Sequence, residues 1–321
     1  MGSWQWNDQQ RPTSTVGVRA TIGAVTMKDD PQAAQRPYVF VRGLDSKLHV
    51  NWWDGKAWHW SAQGSPSGRG VIEKVGAVTV QDGPAAPQRP YAFVIGDDFR
   101  LWVNWWDGAK WNWSDQGAPP SRTLSRPLGV TTVRDTPDAF TRPYAFVITD
   151  DSRVWVNWWD GAKWNWSDQG APSGQPVKKG AGVISVQDNP NAVERPYAFV
   201  QGYDSKLYVN WWDGAKWNWS DQGAPGGRLI LDSVGAITMK DDPGAFTRPY
   251  VFVIGDDSKL YVNWWDGNKW NWAAQGTPAG RVAERPGEAI TVQDNPSASQ
   301  RPYAFVITDD SDLWVNWWSL P

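Results

Sequence analysis

The stretch that decides the fold is Arg89-Pro90-Tyr91-Ala92-Phe93-Val94, then Leu101-Trp102-Val103-Asn104-Trp105-Trp106-Asp107-Gly108, then Trp111-Asn112-Trp113-Ser114-Asp115-Gln116-Gly117. It is one copy of a unit that occurs six times. The Arg-Pro-Tyr triplets begin at Arg36, Arg89, Arg142, Arg195, Arg248 and Arg301, each 53 residues after the last, and copies of the unit hold all 27 tryptophans. A fixed period of this length marks an array of equivalent modules that bury their apolar faces against one another. Any functional site is then expected in several copies. That favours multivalent binding over a single catalytic centre.

Each copy offers four strand candidates. In the second copy they are Gly76–Val80, rich in β-branched residues, then Tyr91–Ile95, Leu101–Trp106, and a short segment around Trp111–Trp113. Side chains alternate across a strand. Leu101, Val103 and Trp105 therefore share one face, and Trp102, Asn104 and Trp106 the other. Bulk on both faces fits a small sheet held between two neighbours. Turn-forming residues separate the strands: Asp82-Gly83-Pro84, Gly96-Asp97-Asp98, and the hairpin dipeptide Asp107-Gly108. No helical period persists. Four antiparallel strands in about 53 residues is the size of one β-propeller blade.

The sixth copy stops at Asn316-Trp317-Trp318-Ser319-Leu320-Pro321, after its third strand. The chain begins Trp4-Gln5-Trp6-Asn7-Asp8-Gln9, which matches Trp111-Asn112-Trp113-Ser114-Asp115-Gln116. Residues 4–10 are thus expected to supply the outer strand of the last blade, closing a ring and removing exposed sheet edges. The expected fold is all-β: one domain over 1–321, a six-bladed β-propeller with four antiparallel strands per blade. Strand sharing between chains is an alternative route to closure, so a homo-oligomer is compatible with the sequence.

Composition narrows the function. The formal net charge is −3 and no Lys or Arg run stands out, which argues against a nucleic-acid partner. No apolar run approaches the roughly 20 residues of a membrane helix, so no membrane insertion is expected. Met1-Gly2-Ser3 does not open a secretory signal, although export of a processed chain is compatible with the sequence. There are no cysteines, and the two histidines, His49 and His59, both lie in the first copy. A repeated thiolate or histidine metal site is thereby excluded, and no cofactor is expected. The Asp-rich turns lack the spacing of a calcium loop and read as turn formers.

The candidate binding residues come from the edge where the loop after the first strand meets the hairpin after the third. There each copy gathers an Arg, the second Trp of the Asn-Trp-Trp pair and the Trp after the hairpin. The set is Arg36, Trp53 and Trp58; Arg89, Trp106 and Trp111; Arg142, Trp159 and Trp164; Arg195, Trp212 and Trp217; Arg248, Trp265 and Trp270; and Arg301 and Trp318, with Trp4 from the split copy. Indole faces stack on the C–H faces of sugars, while Arg and the neighbouring Asp82 and Asp107 (Asp135 and Asp160 in the third copy) reach hydroxyls. The competing reading is structural: Trp as wedge filler, and Arg locked to the repeated Asp. A ring position that reads His49, Trp102, Trp155, Tyr208, Tyr261 and Trp314 either lines a site or packs. Two positioned carboxylates, as a glycosidase needs, do not stand out in any one copy.

Arg-Pro-Tyr-x-Phe-Val, Val-Asn-Trp-Trp-Asp-Gly and Trp-x-Trp-Ser-x-Gln-Gly together resemble the Photorhabdus-type propeller lectins. The resemblance covers nearly the whole chain, and the Trp-Trp-Asp-Gly hairpin is its most specific part. It implies a non-enzymatic protein whose partners are glycans, with fucosylated or methylated sugars held in pockets between blades. Members of that family form seven-bladed rings, whereas this chain has six copies. The alternatives are a repeat scaffold without a sugar ligand, natural or engineered, and a propeller glycosidase.

Overall fold

The computed structural model describes residues 7–30, 32–242, 244–278, 280–293 and 298–318. They divide into two compact units, Met1–Ala118 and Pro119–Pro321. The first unit holds blade 1, made of β1 (Val18–Met27), β2 (Arg36–Gly43), β3 (Leu48–Trp53) and β4 (Trp58–Gly64), and blade 2, made of β5 (Val71–Gln81), β6 (Gln88–Gly96), β7 (Leu101–Trp106) and β8 (Trp111–Gly117). The second unit holds blade 3, with β9 (Leu124–Val133), β10 (Arg142–Thr149), β11 (Val154–Trp159) and β12 (Trp164–Gly170), and blade 4, with β13 (Val177–Gln187), β14 (Glu194–Gly202), β15 (Leu207–Trp212) and β16 (Trp217–Gly223). Blade 5 follows with β17 (Ile230–Met239), β18 (Arg248–Gly255), β19 (Leu260–Trp265) and β20 (Trp270–Gly276), and then blade 6 with β21 (Ala283–Gln293), β22 (Gln300–Thr308) and β23 (Leu313–Trp317). Every sheet is an antiparallel meander in chain order. The fold is the six-bladed β-propeller, all-β, with four strands per blade; the sixth sheet shows three among the described residues.

The first, second and fourth strands run longer than their sequence cores. Strand β5 continues through a register shift between Lys74 and Gly76, and β8 pairs as far as Gly117, opposite Leu101. β-Bulges let a ladder continue past a mismatch, which is why residue alternation alone understated these strands.

The core lies in the seams between blades. In β14, Ala198, Phe199 and Val200 are all fully buried although they alternate in direction. Phe146, Ile148, Val154 and Val156 of blade 3 meet Ala198, Val200 and Tyr208 of blade 4. Phe199, Leu207 and Val209 of blade 4 meet Val251, Val253 and Tyr261 of blade 5. In the first unit, Phe40, Leu48 and Val50 of blade 1 meet Ala92, Val94 and Trp102 of blade 2. A large-side-chain face thus packs on a smaller face plus one ring, and each fully buried Phe contributes roughly 2–3 kcal/mol. The innermost strands come closest at glycine. A Cβ on Gly182, whose φ is +134°, would stand 2.6 Å from the Cβ of Ala236, so only glycine fits there.

Bonds across each seam repeat as faithfully as the packing. Trp113 Nε1 donates to the Gln63 carbonyl at 2.8 Å, and Trp219 Nε1 to that of Gln169 at 2.6 Å. Trp60 Nε1 donates in the same way to the carbonyl of Gln9 at 2.5 Å. Gln9 therefore stands toward blade 1 as Gln63, Gln169 and Gln222 stand toward the blades that follow them. Trp4 and the rest of the expected closing strand before Asn7 lie outside the described residues. Among the described residues, no helix is long and apolar enough to cross a membrane.

Candidate functional site

The hairpin between the third and fourth strands is fixed by its aspartate. Asp107 Oδ1 accepts from the backbone N–H groups of Ala109 and Lys110, and Oδ2 accepts from Asn112 Nδ2, all at 2.8 Å. Gly108 takes the φ of +103° that closes the turn. The hydrogen bonds to Lys110, Ala109 and Asn112 hold the Asp107 carboxyl down at about 2, because they favour the ionised form. The same arrangement recurs at Asp160, Asp213 and Asp266. It sets the Trp before the hairpin against the Trp after it. Ring centroids are 5.6 Å apart for Trp106 and Trp111 and for Trp159 and Trp164, and 5.7 Å for Trp53–Trp58, Trp212–Trp217 and Trp265–Trp270. The planes cross at 57° to 60°, near the edge-to-face arrangement that aromatic quadrupoles prefer.

The repeated arginines pair with the repeated aspartates. The Nη2 atoms of Arg36, Arg89, Arg142, Arg195 and Arg248 contact the carboxylates of Asp29, Asp82, Asp135, Asp188 and Asp241. The lock anticipated from sequence is therefore present. Behind the pair, Nε of Arg142, Arg195 and Arg248 is buried with no hydrogen-bond partner. Arg301 opens the equivalent turn of β22, opposite Val292.

A second aromatic layer escaped the sequence reading. Tyr91 lies opposite Trp105 in the β6–β7 register, and the two rings stack at 5.6 Å. Tyr144–Trp158 at 5.7 Å, Tyr197–Trp211 at 5.7 Å and Tyr250–Trp264 at 6.3 Å repeat it. Burial pushes the hydroxyls of Tyr91, Tyr144, Tyr197 and Tyr250 up from the ordinary tyrosine range, so they stay neutral donors. The available signal was the antiparallel register of Tyr, two residues after Arg, with the first Trp of the pair.

Within the second unit these layers meet in three grooves between consecutive blades. Groove 3/4 has a volume of about 830 Å³. Blade 3 lines it with Asp135, Arg142, Tyr144 and Trp158, and blade 4 with Asp188, Arg195, Trp212, Asp213 and Trp217. Groove 4/5, about 480 Å³, takes Tyr197, Trp211 and Asn218 from blade 4 and Phe246, Trp265 and Trp270 from blade 5. Groove 5/6, about 370 Å³, takes Asp241, Arg248, Tyr250 and Trp264 from blade 5 and Pro302, Trp317 and Trp318 from blade 6.

The structure places the expected residues of blade 4, Arg195, Trp212 and Trp217, together in groove 3/4, and divides those of blade 5. Trp265 and Trp270 face groove 4/5, whereas Arg248 lines groove 5/6. Some of the expected site tryptophans also pack. Trp111, Trp217 and Trp270 stand edge-on to Phe40, Phe146 and Phe199 of the preceding blade, with centroids 5.8, 5.9 and 6.0 Å apart. They are at once wedge filler and, for Trp217 and Trp270, groove wall.

The variable ring packs in a seam at Trp102, Tyr208 and Tyr261, whereas Trp314 is exposed. His49, Trp102, Tyr208 and Tyr261 are buried, and each turns its polar tip to an Asp in the turn before it. Tyr208 and Tyr261 donate to Asp204 and Asp257 at 2.6 and 2.8 Å, Trp102 donates to Asp98 at 3.3 Å, and His49 Nε2 lies 3.2 Å from Asp45. Asp97 caps the Gly70 N–H at 3.0 Å. The paired aspartates of that edge are turn and seam chemistry.

No protein-family model and no curated protein matches the sequence. Solved structures do resemble it. The BP39L lectin of Burkholderia pseudomallei superposes with a TM-score of 0.62 at 18% identity, over 94% of this chain and 84% of that one. The fungal lectin of Aleuria aurantia, described as a six-bladed β-propeller with a novel fucose recognition mode, gives 0.57 at 17%, over 92% and 91%. AofleA of Arthrobotrys oligospora gives 0.56 at 14%, over 95% and 85%. At such identities the likeness establishes the fold, and the ring size it supports is six, in place of the seven blades of the Photorhabdus-type lectins.

Proposed function

We propose that this chain is a multivalent, non-enzymatic carbohydrate-binding protein that takes fucosylated or methylated sugars in the grooves between its blades. The observation that carries the reading is groove 3/4. It joins the Trp212–Trp217 pair, the Tyr144–Trp158 stack, and the guanidinium groups of Arg142 and Arg195, each paired with an exposed carboxylate. A sugar ring presents an apolar C–H face to indole and hydroxyls to charged donors and acceptors. Asp135 and Asp188 are both more than half exposed while their arginines are largely buried. Carboxylate oxygens are therefore open to hydroxyl donors, and the guanidinium is held from behind.

Recurrence of the same parts in groove 5/6, and in altered form in groove 4/5, supports multivalency. Weak single sites at fixed spacing gain avidity on clustered glycans. That two of the superposable proteins are described as lectins, one of them by its fucose recognition, supports the choice of sugar. A glycan array followed by titration with methyl α-fucoside tests the reading. Millimolar or tighter binding that competes with fucosylated glycans is expected, and no binding of any glycan at millimolar concentration overturns it.

A further inference from the structure

Two residues before each Arg-Pro-Tyr triplet the copies diverge to Ala34, Pro87, Phe140, Val193, Phe246 and Ser299. The structure places this residue at the lip that the second blade of a groove contributes: Val193 in groove 3/4, Phe246 in groove 4/5 and Ser299 in groove 5/6. The lip is held in place. The next residue clamps the preceding blade by two hydrogen bonds, Glu194 with the backbone of Arg134 at 2.9 Å each, and Thr247 with that of Gln187 at 2.7 and 2.5 Å.

What differs is how far the lip reaches. The Phe246 ring lies on the Asp266-Gly267 hairpin of its own blade, where a Cβ on Gly267 would meet its Cζ at 3.0 Å. Phe140 covers Gly161 in the same way, also at 3.0 Å. In blade 4 nothing lies within 4 Å of the corresponding point on Gly214. Gly214 is itself part of the wall of groove 3/4, beneath a Val193 that is 46% exposed. Groove 3/4 with the Val193 lip has about 830 Å³ and groove 4/5 with the Phe246 lip about 480 Å³; groove 5/6, with Ser299 at its lip, has about 370 Å³, and the hairpin turn after Trp318 that would face that lip lies outside the described residues.

Resting on the carbohydrate reading above, we propose that in grooves 3/4 and 4/5, whose hairpin glycines are both described, this lip residue sets the size of ligand admitted. Groove 3/4 takes a disaccharide, with one ring between Arg142 and the Trp212–Trp217 pair and the second over Gly214 beside Val193. Groove 4/5, covered by Phe246, takes a single ring. The bare hairpin glycine is the deciding element, because a sugar ring can lie flat against backbone only where no side chain intervenes.

The test is crystallographic occupancy in the full chain soaked with methyl α-fucoside or with a fucosyl-galactose disaccharide, together with Val193→Phe and Phe246→Val. Both substitutions install a residue that other copies carry at this position, so folding is retained. Two ordered rings in groove 3/4 and one in groove 4/5 are expected. Val193→Phe should keep the first ring, lose the second, and lower the disaccharide-to-monosaccharide affinity ratio about tenfold; Phe246→Val should admit a second ring to groove 4/5. A second ring that stays ordered in groove 3/4 of Val193→Phe overturns the lip assignment and leaves the lectin reading standing. Absence of sugar from every groove overturns both.

Discussion

Trp217 of blade 4 stands edge-on to Phe146 of blade 3, with centroids 5.9 Å apart and planes at 78°. Its neighbour Trp212 packs against Trp217 and lines the same groove. The two indoles therefore separate stability from binding. Trp217→Ala should cost about 3 kcal/mol, as for a large aromatic truncated against a core, and should also weaken sugar binding. Trp212→Ala should cost under about 1.5 kcal/mol while lowering affinity at groove 3/4 at least tenfold. Denaturant unfolding and sugar titration on both variants check this. Equal stability losses would return Trp212 to the role of filler.

Arg142 is the guanidinium that the lock and the site share. Its contact with Asp135 is a pair with one exposed partner, and such pairs contribute about 0–1 kcal/mol. The Arg142 side chain is itself largely buried, so Arg142→Ala also removes packing and should cost about 1–2 kcal/mol. Sugar occupancy of groove 3/4 should disappear, and the other grooves should still fill.

The hairpin aspartates set the acid behaviour of the site. Asp107, Asp160, Asp213 and Asp266 are held at about 2 by their hydrogen bonds to backbone and Asn. A carboxyl depressed on folding contributes stability that is fully present above its ordinary value, near 4, and is lost as pH falls toward the depressed one. Stability should therefore begin to fall below about pH 4, while the hairpins and their Trp pairs keep their geometry in the folded protein until the carboxyls protonate near pH 2. Carboxyl carbon shifts in an NMR titration measure it directly. A midpoint near 4 for these four groups would contradict the hydrogen-bonded hairpin.

Glu194 runs the other way. Gln88 and Gln300 fill the equivalent clamp with a neutral amide, accepting from Lys28 N and Lys240 N at 2.9 and 2.8 Å, whereas Glu194 does so with a carboxylate. Burial pushes Glu194 above the ordinary glutamate range. A raised folded pKa gives relative stability that is present below the unfolded value and lost as pH rises through the folded one. Glu194→Gln should thus stabilise the protein at pH 7 by under about 1 kcal/mol and leave stability at pH 4 nearly unchanged. Thermal melts at the two pH values read the difference.

Phe99 occupies a left-handed turn position, φ +55°, that the other five copies fill with Ser46, Ser152, Ser205, Ser258 and Ser311. A bulky side chain there is strained, and Phe99 is half exposed, with little burial to offset the strain. Phe99→Asn should raise stability by about 1 kcal/mol, visible as a higher denaturation midpoint with unchanged sugar binding.

The fold was legible because repetition multiplies weak local signals. Asp107-Gly108 between two apolar strands is a hairpin in one copy, and five such hairpins at a fixed 53-residue period, within six copies of the unit, leave few architectures. The arginines and hairpin tryptophans were legible as well, since sharing an edge follows from strand order. The stacking of Tyr144 on Trp158 was not singled out, because it depends on which residues face one another across the β10–β11 ladder. The double duty of Trp217 was hidden for a related reason: Phe146 lies 71 positions earlier in the chain, and only blade-on-blade packing brings the rings together. By itself, the sequence determined the module, the number of copies, the hairpin and the residue types at its edge, all consequences of local alternation and turn chemistry. The tertiary structure decided which blade's Arg serves which groove and which glycine stays bare, because blade-on-blade packing and the reach of a single lip side chain act across seams that no local pattern records.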